Sequence, residues 1–192
     1  MRLVVRDPSA AVRHTSRFLP GWGCEETTMR KATVLVPSGV LGAGFSLRAL
    51  QRGVDAGPDV IAIDGGSTDS GPFYLGAGAS KMTREATLRD LAPILQARAK
   101  LGVPLIIGSC GTSGTDSGVD WMRDLCLEVL RAESLNASIA TIYSEPDRGH
   151  LKRRVSEGRV RPLRPELPIN AEIIDGCSHI VAVMGAEPIM GA

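Results

Sequence analysis

Two aspartates in a glycine-rich stretch are the residues of this sequence with the clearest potential for chemistry. Asp64 and Asp69 lie in IDGGSTDSG, directly after the apolar run Val60 to Ile63. Two carboxylates at this spacing can bind Mg²⁺ through their oxygens, or can divide general-acid and general-base roles when their surroundings separate their pKa values. Aspartates in such loops also cap turns, and this alternative stays open for Asp69. Both are candidate catalytic and magnesium-binding residues.

A second polar loop, GSCGTSG, follows another apolar run and spans Gly108 to Gly114. Its three hydroxyl groups and its glycine amides suit an anionic group such as a carboxylate or a phosphoryl oxygen. We expect this loop and the aspartate loop to contact a ligand together. The candidate ligand-binding residues of the two loops are Gly65, Gly66, Ser67, Thr68, Ser109, Gly111, Thr112, Ser113 and Gly114.

A third glycine-rich stretch, GVLGAGF, lies between a predicted strand and a predicted helix. The glycines Gly39, Gly42 and Gly44 would let backbone N–H groups approach a phosphate or carboxylate at the start of the helix. The stretch is neither G-x-G-x-x-G nor a Walker A loop. A plain tight turn explains it about equally well.

Cys110 is the cysteine of the predicted site loops and a candidate nucleophile. A thiolate near the start of a helix is favoured, and Glu145 or His150 could act as its base. A buried spectator thiol is the commoner outcome. Arg148, in the loop after the fourth predicted strand, could pair with a substrate carboxylate or phosphate, although a solvated basic helix face is the alternative.

Short apolar runs that alternate with glycine-rich loops and amphipathic segments indicate how these loops are positioned. The pattern predicts an α/β fold: a doubly wound, mainly parallel, Rossmann-like sheet of about five strands with helices on both faces. Because the carboxyl ends of parallel strands meet at one edge, the polar loops should converge on a single crevice. The predicted strands are Thr33 to Val36, Val60 to Ile63, Leu105 to Ile107, Ser138 to Tyr143 and His179 to Met184.

Four amphipathic segments predict the crossover helices. Pro93 lies inside the second of them and predicts a kink or a break into two helices, because proline removes one backbone hydrogen bond. The predicted helices are Phe45 to Ala56, Thr83 to Lys100, Asp120 to Ala132 and Asp147 to Glu157.

Composition limits the class of partner and the compartment. The 192 residues carry a formal net charge of +1, which gives no reason to expect nucleic acid or an anionic membrane as a partner. The four cysteines have no C-x-x-C spacing and no apolar run approaches the ~18 residues of a membrane span. We therefore expect reduced thiols and a cytoplasmic protein.

The two ends fit this pattern less well. Residues 1–28 show no clean periodicity, so we expect a peripheral extension, poorly ordered or introduced by an upstream start site, followed by an α/β domain over residues 29–192. The sequence stops just after the last predicted strand, where a helix should come next. We expect that either further C-terminal sequence or a homo-oligomer covers the exposed apolar face.

Four motifs are similar to those of the acyclic terpene utilisation family, the AtuA-like proteins. They are PSGVLGAGF, GPDVIAIDGGSTDSGPFYLGAG, PLIIGSCGTSG and HIVAVMGAEP, and the resemblance covers Lys31 to the C-terminus. It implies bacterial breakdown of branched acyclic isoprenoids and a small-molecule site. The family's proteins are usually longer, and the resemblance assigns no catalytic residue.

The residues and the resemblance together predict a cytosolic catabolic enzyme. It would bind an anionic small molecule, a carboxylate or an acyl thioester, at the strand ends and use acid–base chemistry of the lyase or hydrolase kind. Its cofactor is unknown, with Mg²⁺ the candidate. The alternative is a non-catalytic regulatory module that binds a nucleotide or phosphate through the same loops.

Overall fold

The computed structural model describes residues 2–6, 31–164 and 167–191. Within these residues the chain forms one five-stranded sheet and seven α-helices. The strands are β1 (Arg2–Arg6), β2 (Val34–Leu35), β3 (Val60–Asp64), β4 (Leu105–Gly108) and β5 (Ser138–Ile142). The helices are α1 (Leu47–Asp55), α2 (Pro72–Ala77), α3 (Arg84–Leu101), α4 (Asp116–Ala132), α5 (Arg148–Ser156), α6 (Ala171–Gly176) and α7 (Glu187–Gly191).

The sheet is mixed but mostly parallel, with the strand order β2-β3-β4-β1-β5. β2, β3 and β4 pair in parallel, whereas β1 runs antiparallel to both β4 and β5. The strands β2 to β5 advance across the sheet in one direction. Because crossover connections are right-handed, their helices α1, α3 and α4 pack on the same face. The α/β, Rossmann-like class predicted from the sequence is confirmed.

The N-terminal segment supplies an internal strand of this sheet. β1 lies between β4 and β5, and Val4 and Val5 are almost completely buried. The expectation of a peripheral extension is therefore wrong for residues 2–6, although residues 7–30 lie outside the described part. The three apolar residues of β1, Leu3 to Val5, are too few to show a period. Its partner strands lie at least about a hundred residues further along the chain.

The fifth predicted strand, His179 to Met184, is also wrong. This segment has no strand structure; its amide at Ala182 donates to the carbonyl of Ser144 at 2.9 Å, while Val183 is fully exposed. The segment instead lies over the face of the sheet opposite α1, α3 and α4.

The other predicted elements are present with small shifts. α3 continues through Pro93 as one helix, so the predicted break does not occur. It is capped by Thr83 and ends at Gly102 in the left-handed conformation, as expected for a helix C-terminus. α4 starts at Asp116, one turn earlier than predicted, because the Thr115 side chain accepts from the amide of Gly118. No helix in the described ranges has the length and apolar content needed to cross a bilayer.

The two faces of the sheet differ in how well they are covered. Ile61, Ile63 and Leu105 face α1, α3 and α4 and are at most 5% exposed. Their neighbours in the strands, such as Ala62 and Ile106, lie on the opposite face and are only partly buried. This second face, which we call the open face, carries the cavity described next.

Candidate functional site

A cavity of about 650 Å³ lies on the open face, at the carboxyl ends of β3 and β4. One end of it is polar and the other is apolar. The polar lining comes from Ser38, Asp64, Ser109 and Ser113. The apolar lining comes from Ala62, Ile106, Val181, Val183, Met184 and Ile189. The segment that had been predicted as a fifth strand thus forms one wall of the cavity.

The loops after β3 and β4 pack directly against each other at the polar end. The amide of Gly65 donates to the carbonyl of Gly108 at 2.6 Å, and the amide of Gly111 donates to the carbonyl of Gly65 at 3.1 Å. A Cβ on Gly66 would lie 2.2 Å from the amide nitrogen of Thr112. Only glycine permits this approach. The structure therefore brings together the two loops that the sequence singled out.

Asp64 contributes a carboxyl group to the polar end of the cavity. Burial raises its pKa above the ordinary value of 3.8, and the nearby charge of Asp69 adds a smaller effect in the same direction. Hydrogen bonds from the amide of Gly66 and from the side chain of Ser109 partly oppose this rise. A carboxyl with a raised pKa is a stronger base than an ordinary aspartate, which favours a role in exchanging protons with a bound molecule.

Asp69 lies apart from this environment. Its side chain is exposed and accepts a short hydrogen bond from the hydroxyl of Ser67, as in the turn-capping alternative. The side chain of Thr68 lies outside the described residues. Among the side chains that the structure describes, no three His, Cys, Asp or Glu residues form a group able to hold a metal ion. A Mg²⁺ ion on Asp64 and Asp69 stays a prediction.

The glycine-rich loop after β2 does not offer the anion cradle that the sequence suggested. The amides of Gly42 and Gly44 both donate to one oxygen of Asp90, at 2.9 and 2.8 Å. Asp90 belongs to α3 and is 3% exposed, so the protein's own carboxylate fills this position. Gly39 is exposed and lines the cavity. The ligand-binding role predicted for Gly42 and Gly44 is wrong.

Most polar groups of the loop after β4 are also hydrogen-bonded to other groups of the protein. The amide of Gly114 donates to the carbonyl of Cys110 at 3.3 Å, and the hydroxyl of Thr112 accepts from the amide of Lys81 at 3.0 Å. The hydroxyl of Ser113 shares a hydrogen bond with Thr115 at 2.9 Å. These groups hold the loops together, which leaves little of their hydrogen-bonding capacity for an anion, and the ligand-binding roles of Gly111, Gly114 and Thr112 stay predictions.

Ser109 differs from the other hydroxyl residues of this loop. It is partly exposed, lines the cavity and lies close enough to Asp64 to lower the pKa of that carboxyl. Its φ is 45°, in the left-handed region that a residue with a side chain adopts only at a cost. Strained residues of this kind concentrate at functional sites. Ser109 and Asp64 are therefore the best-placed pair of polar groups in the cavity.

Cys110 is excluded as a nucleophile. Its side chain is completely buried, and burial raises the pKa of its thiol to about 12. The thiol donates weakly to the carbonyl of Ile107 at 3.6 Å. A protonated, inaccessible thiol cannot attack a substrate, so His150 and Glu145 do not serve it as bases.

Alkylation of the native protein tests this exclusion. Iodoacetamide at mildly alkaline pH should modify Cys177, which is partly exposed, and leave Cys110 and Cys126 unmodified, because burial raises the pKa of both. Peptide mapping by mass spectrometry measures the extent at each site. In urea all of these thiols should react. Rapid modification of Cys110 in the folded protein would contradict its burial.

The side chains of Arg148 and Glu145 form hydrogen bonds with residues in the C-terminal part of the chain. The guanidinium of Arg148 donates to the carbonyls of Ile174 and Cys177 at 2.5 and 2.6 Å. It therefore secures the end of α6, and its predicted role as a ligand-binding cation is wrong. Glu145 accepts from the amide of Asp116 at 3.2 Å and pairs with His179 at 2.9 Å.

His179 links the loop after β5 to the start of the cavity wall. Because a carboxylate only accepts, Nδ1 of His179 carries the proton in its bond to Glu145. A Cβ on Gly78 would lie 2.5 Å from Nε2, so the ring packs closely on the end of α2. These contacts anchor the start of the cavity wall. Pairing across 34 residues leaves no local signal in the sequence.

Comparison with protein-family models, curated proteins and solved structures gives no match for this chain. The resemblance to the AtuA-like family therefore stays a prediction, and the cavity itself carries the functional argument.

Proposed function

We propose that this protein is an enzyme that transfers a proton to or from an acyl compound with a branched apolar chain, with Asp64 as the acid–base group. The observation that carries the proposal is the position of Asp64, a carboxyl with a raised pKa at the polar end of an otherwise apolar cavity. The reacting end of the substrate would lie near Asp64 and Ser109. Its hydrocarbon part would lie along the open face.

The charge of the cavity favours an acyl thioester over a free carboxylate. Of the described residues that line the cavity, Asp64 is the one that titrates, and no lysine, arginine or histidine is among them. A carboxylate or phosphate beside Asp64 would meet repulsion without a compensating cation. The reacting end of a thioester is neutral, and a protonated Asp64 could donate to its carbonyl oxygen.

The apolar end supports a branched hydrocarbon chain as the second part of the substrate. Ala62 and Ile106 form its floor, while Val181, Met184 and Ile189 form its walls. Burying each CH₂ group of a ligand there contributes about 0.8 kcal/mol. The similarity of four sequence motifs to the AtuA-like family points to the same substrate class, the branched acyclic isoprenoid acids.

The proposal also includes the cellular compartment, the class of ligand and the oligomeric state. Among the described residues, Cys110, Cys126 and Cys177 are free thiols, which supports the cytoplasm as the compartment. The net charge of +1 supports a small-molecule ligand rather than nucleic acid. Val34 and Val36 are at least half exposed on the open face and support a homo-oligomer.

A binding screen tests the substrate class against the alternative of a phosphate-binding module. Non-hydrolysable thioether analogues of branched acyl thioesters should raise Tm by roughly 5 °C at a concentration of about 100 times Kd. Nucleotides and inorganic phosphate, each with and without Mg²⁺, should leave Tm unchanged. An Ala62→Phe variant fills the floor of the cavity and should lose the shift. A shift with phosphates alone would reject the acyl substrate.

A further inference from the structure

We propose that Ser109 is the nucleophile of this site and that the Asp64 carboxylate accepts the proton of its hydroxyl. The reaction would be acyl transfer from a thioester to Ser109, followed by hydrolysis. This inference rests on the proposed function, because it assigns a covalent step to the same cavity. It adds a residue with a defined catalytic role and a reaction class.

The backbone of Ser109 is the first observation behind this inference. Ser109 follows the last residue of β4, and its φ of 45° turns the chain sharply towards α4. Gly108 before it leaves space beside the turn, since a Cβ on this residue would meet nothing within 4 Å. A strained strand-to-helix turn holds a hydroxyl at the tip of a sheet in one orientation, where a substrate can reach it.

The partner of Ser109 is the second observation. Ser109 directly follows Gly108, which pairs with Asp64 across the two strands, and its side chain lies close enough to lower the pKa of that carboxyl. Both residues line the cavity. A serine hydroxyl becomes a useful nucleophile when an adjacent base takes its proton, and burial makes Asp64 a stronger base than an exposed carboxylate. Ser109 thus has the base that Cys110, its neighbour in sequence, lacks.

The other hydroxyl groups of the loop are committed elsewhere. Thr112 is 2% exposed and accepts from the amide of Lys81, while Ser113 is 3% exposed and bonded to Thr115. Ser38 lines the same cavity, but its hydroxyl donates to the carbonyl of Val40 at 3.3 Å. Ser109 alone among these four combines a place in the cavity with a carboxylate partner.

The proposed reaction is balanced without any oxidant or reductant. The Oγ of Ser109 forms a bond to the thioester carbonyl carbon while its proton passes to Asp64. The carbon–sulfur bond then breaks, and Asp64 returns the proton to the departing thiolate. Water next attacks the serine ester, with Asp64 taking one water proton. Cleavage of the ester releases the carboxylic acid, and the proton on Asp64 restores the Ser109 hydroxyl.

Labelling with an alkyl fluorophosphonate tests the assignment, because this probe phosphonylates activated serines and releases fluoride. Intact mass should show one adduct, and peptide mapping should place it on Ser109. Ser109→Ala should not be labelled, and Asp64→Asn should react at least about 100-fold more slowly. Ser156→Ala is the matched control, because Ser156 is exposed on α5 and is not among the residues that line the cavity, and it should be labelled at the wild-type rate. Circular dichroism confirms that each variant is folded.

The same variants separate this inference from the proposed function. Failure of the folded wild-type protein to react with the probe, or an adduct that persists in Ser109→Ala, overturns the nucleophile. Loss of thioester turnover in Asp64→Asn together with full turnover in Ser109→Ala also overturns it, but leaves the proton-transfer role of Asp64 standing. Full turnover in both variants removes both proposals.

Discussion

The Asp64→Asn variant should lower kcat/KM for a branched acyl thioester by about 10³-fold while the protein stays folded. Asparagine preserves the size of the side chain but cannot accept or release the proton, and acid–base groups typically contribute 10²- to 10⁴-fold. Steady-state kinetics of substrate turnover measures the loss. The loss should lie mainly in kcat, because the shape of the cavity is unchanged.

The change in the free energy of unfolding caused by Asp64→Asn also has a predicted sign. Burial raises the pKa of Asp64 in the folded state, so the folded protein binds the proton more tightly than the unfolded chain does. The resulting stabilisation is complete below the unfolded pKa of about 3.8 and is lost as pH rises through the folded pKa. Asparagine has no such dependence. At neutral pH the variant should therefore be at least as stable as the wild type in urea unfolding.

Asp69→Asn is the matched control for this experiment. Asp69 is exposed and bonded to Ser67, so its replacement should change kcat/KM by less than about threefold. A large loss in Asp69→Asn that depends on added Mg²⁺ would instead support the predicted metal site. Wild-type turnover by Asp64→Asn would remove Asp64 from the reaction.

Gly66→Ala should have the largest effect on stability, with a loss of about 4 kcal/mol or more in the free energy of unfolding. The new Cβ would lie 2.2 Å from the amide nitrogen and 2.5 Å from the Cα of Thr112. Both atoms belong to the backbone, so no side-chain rotation relieves the overlap. Gly66 also has a φ of 146°, which alanine adopts poorly. Such a loss approaches the whole stability of many domains.

Gly71→Ala separates the overlap from the backbone strain. Gly71 has a φ of 95°, but a Cβ placed on it would meet nothing within 4 Å. With ψ at 176° Gly71 lies in a region that is essentially restricted to glycine, so its replacement should cost about 2 kcal/mol, the contribution of strain alone. Chemical denaturation of the two variants measures the difference. Equal losses would mean that the loops after β3 and β4 are not packed as the structure shows.

The parts of the fold that the sequence predicted are those with local signals. β3 and β4 are uninterrupted apolar runs that end in glycine, and a capping residue opens α1, α3 and α4. Because parallel strands share an edge, these local assignments were enough to bring Asp64 and Ser109 together. The cavity on the open face could not be foreseen, since it depends on where the chain runs after β5.

The errors involve contacts between distant residues. β1 was missed because its partners in β4 and β5 lie far along the chain. Gly42 was expected to meet a ligand, but the sequence does not show that Asp90, 48 residues later, occupies its amide. Cys110 was weighed as a nucleophile because composition does not report burial. At Gly42 and Gly44 a carboxylate of the protein itself takes the place expected for a ligand.

The central claim is that a ligand binds in the cavity between the polar strand ends and the apolar open face. Its most direct test is an NMR titration of the isotope-labelled protein with a branched-chain thioether analogue. The account predicts that the resonances of Asp64, Ser109, Ala62, Ile106 and Val181 shift together and saturate with a single Kd. Saturable shifts confined to other residues, with these five unchanged, would contradict it.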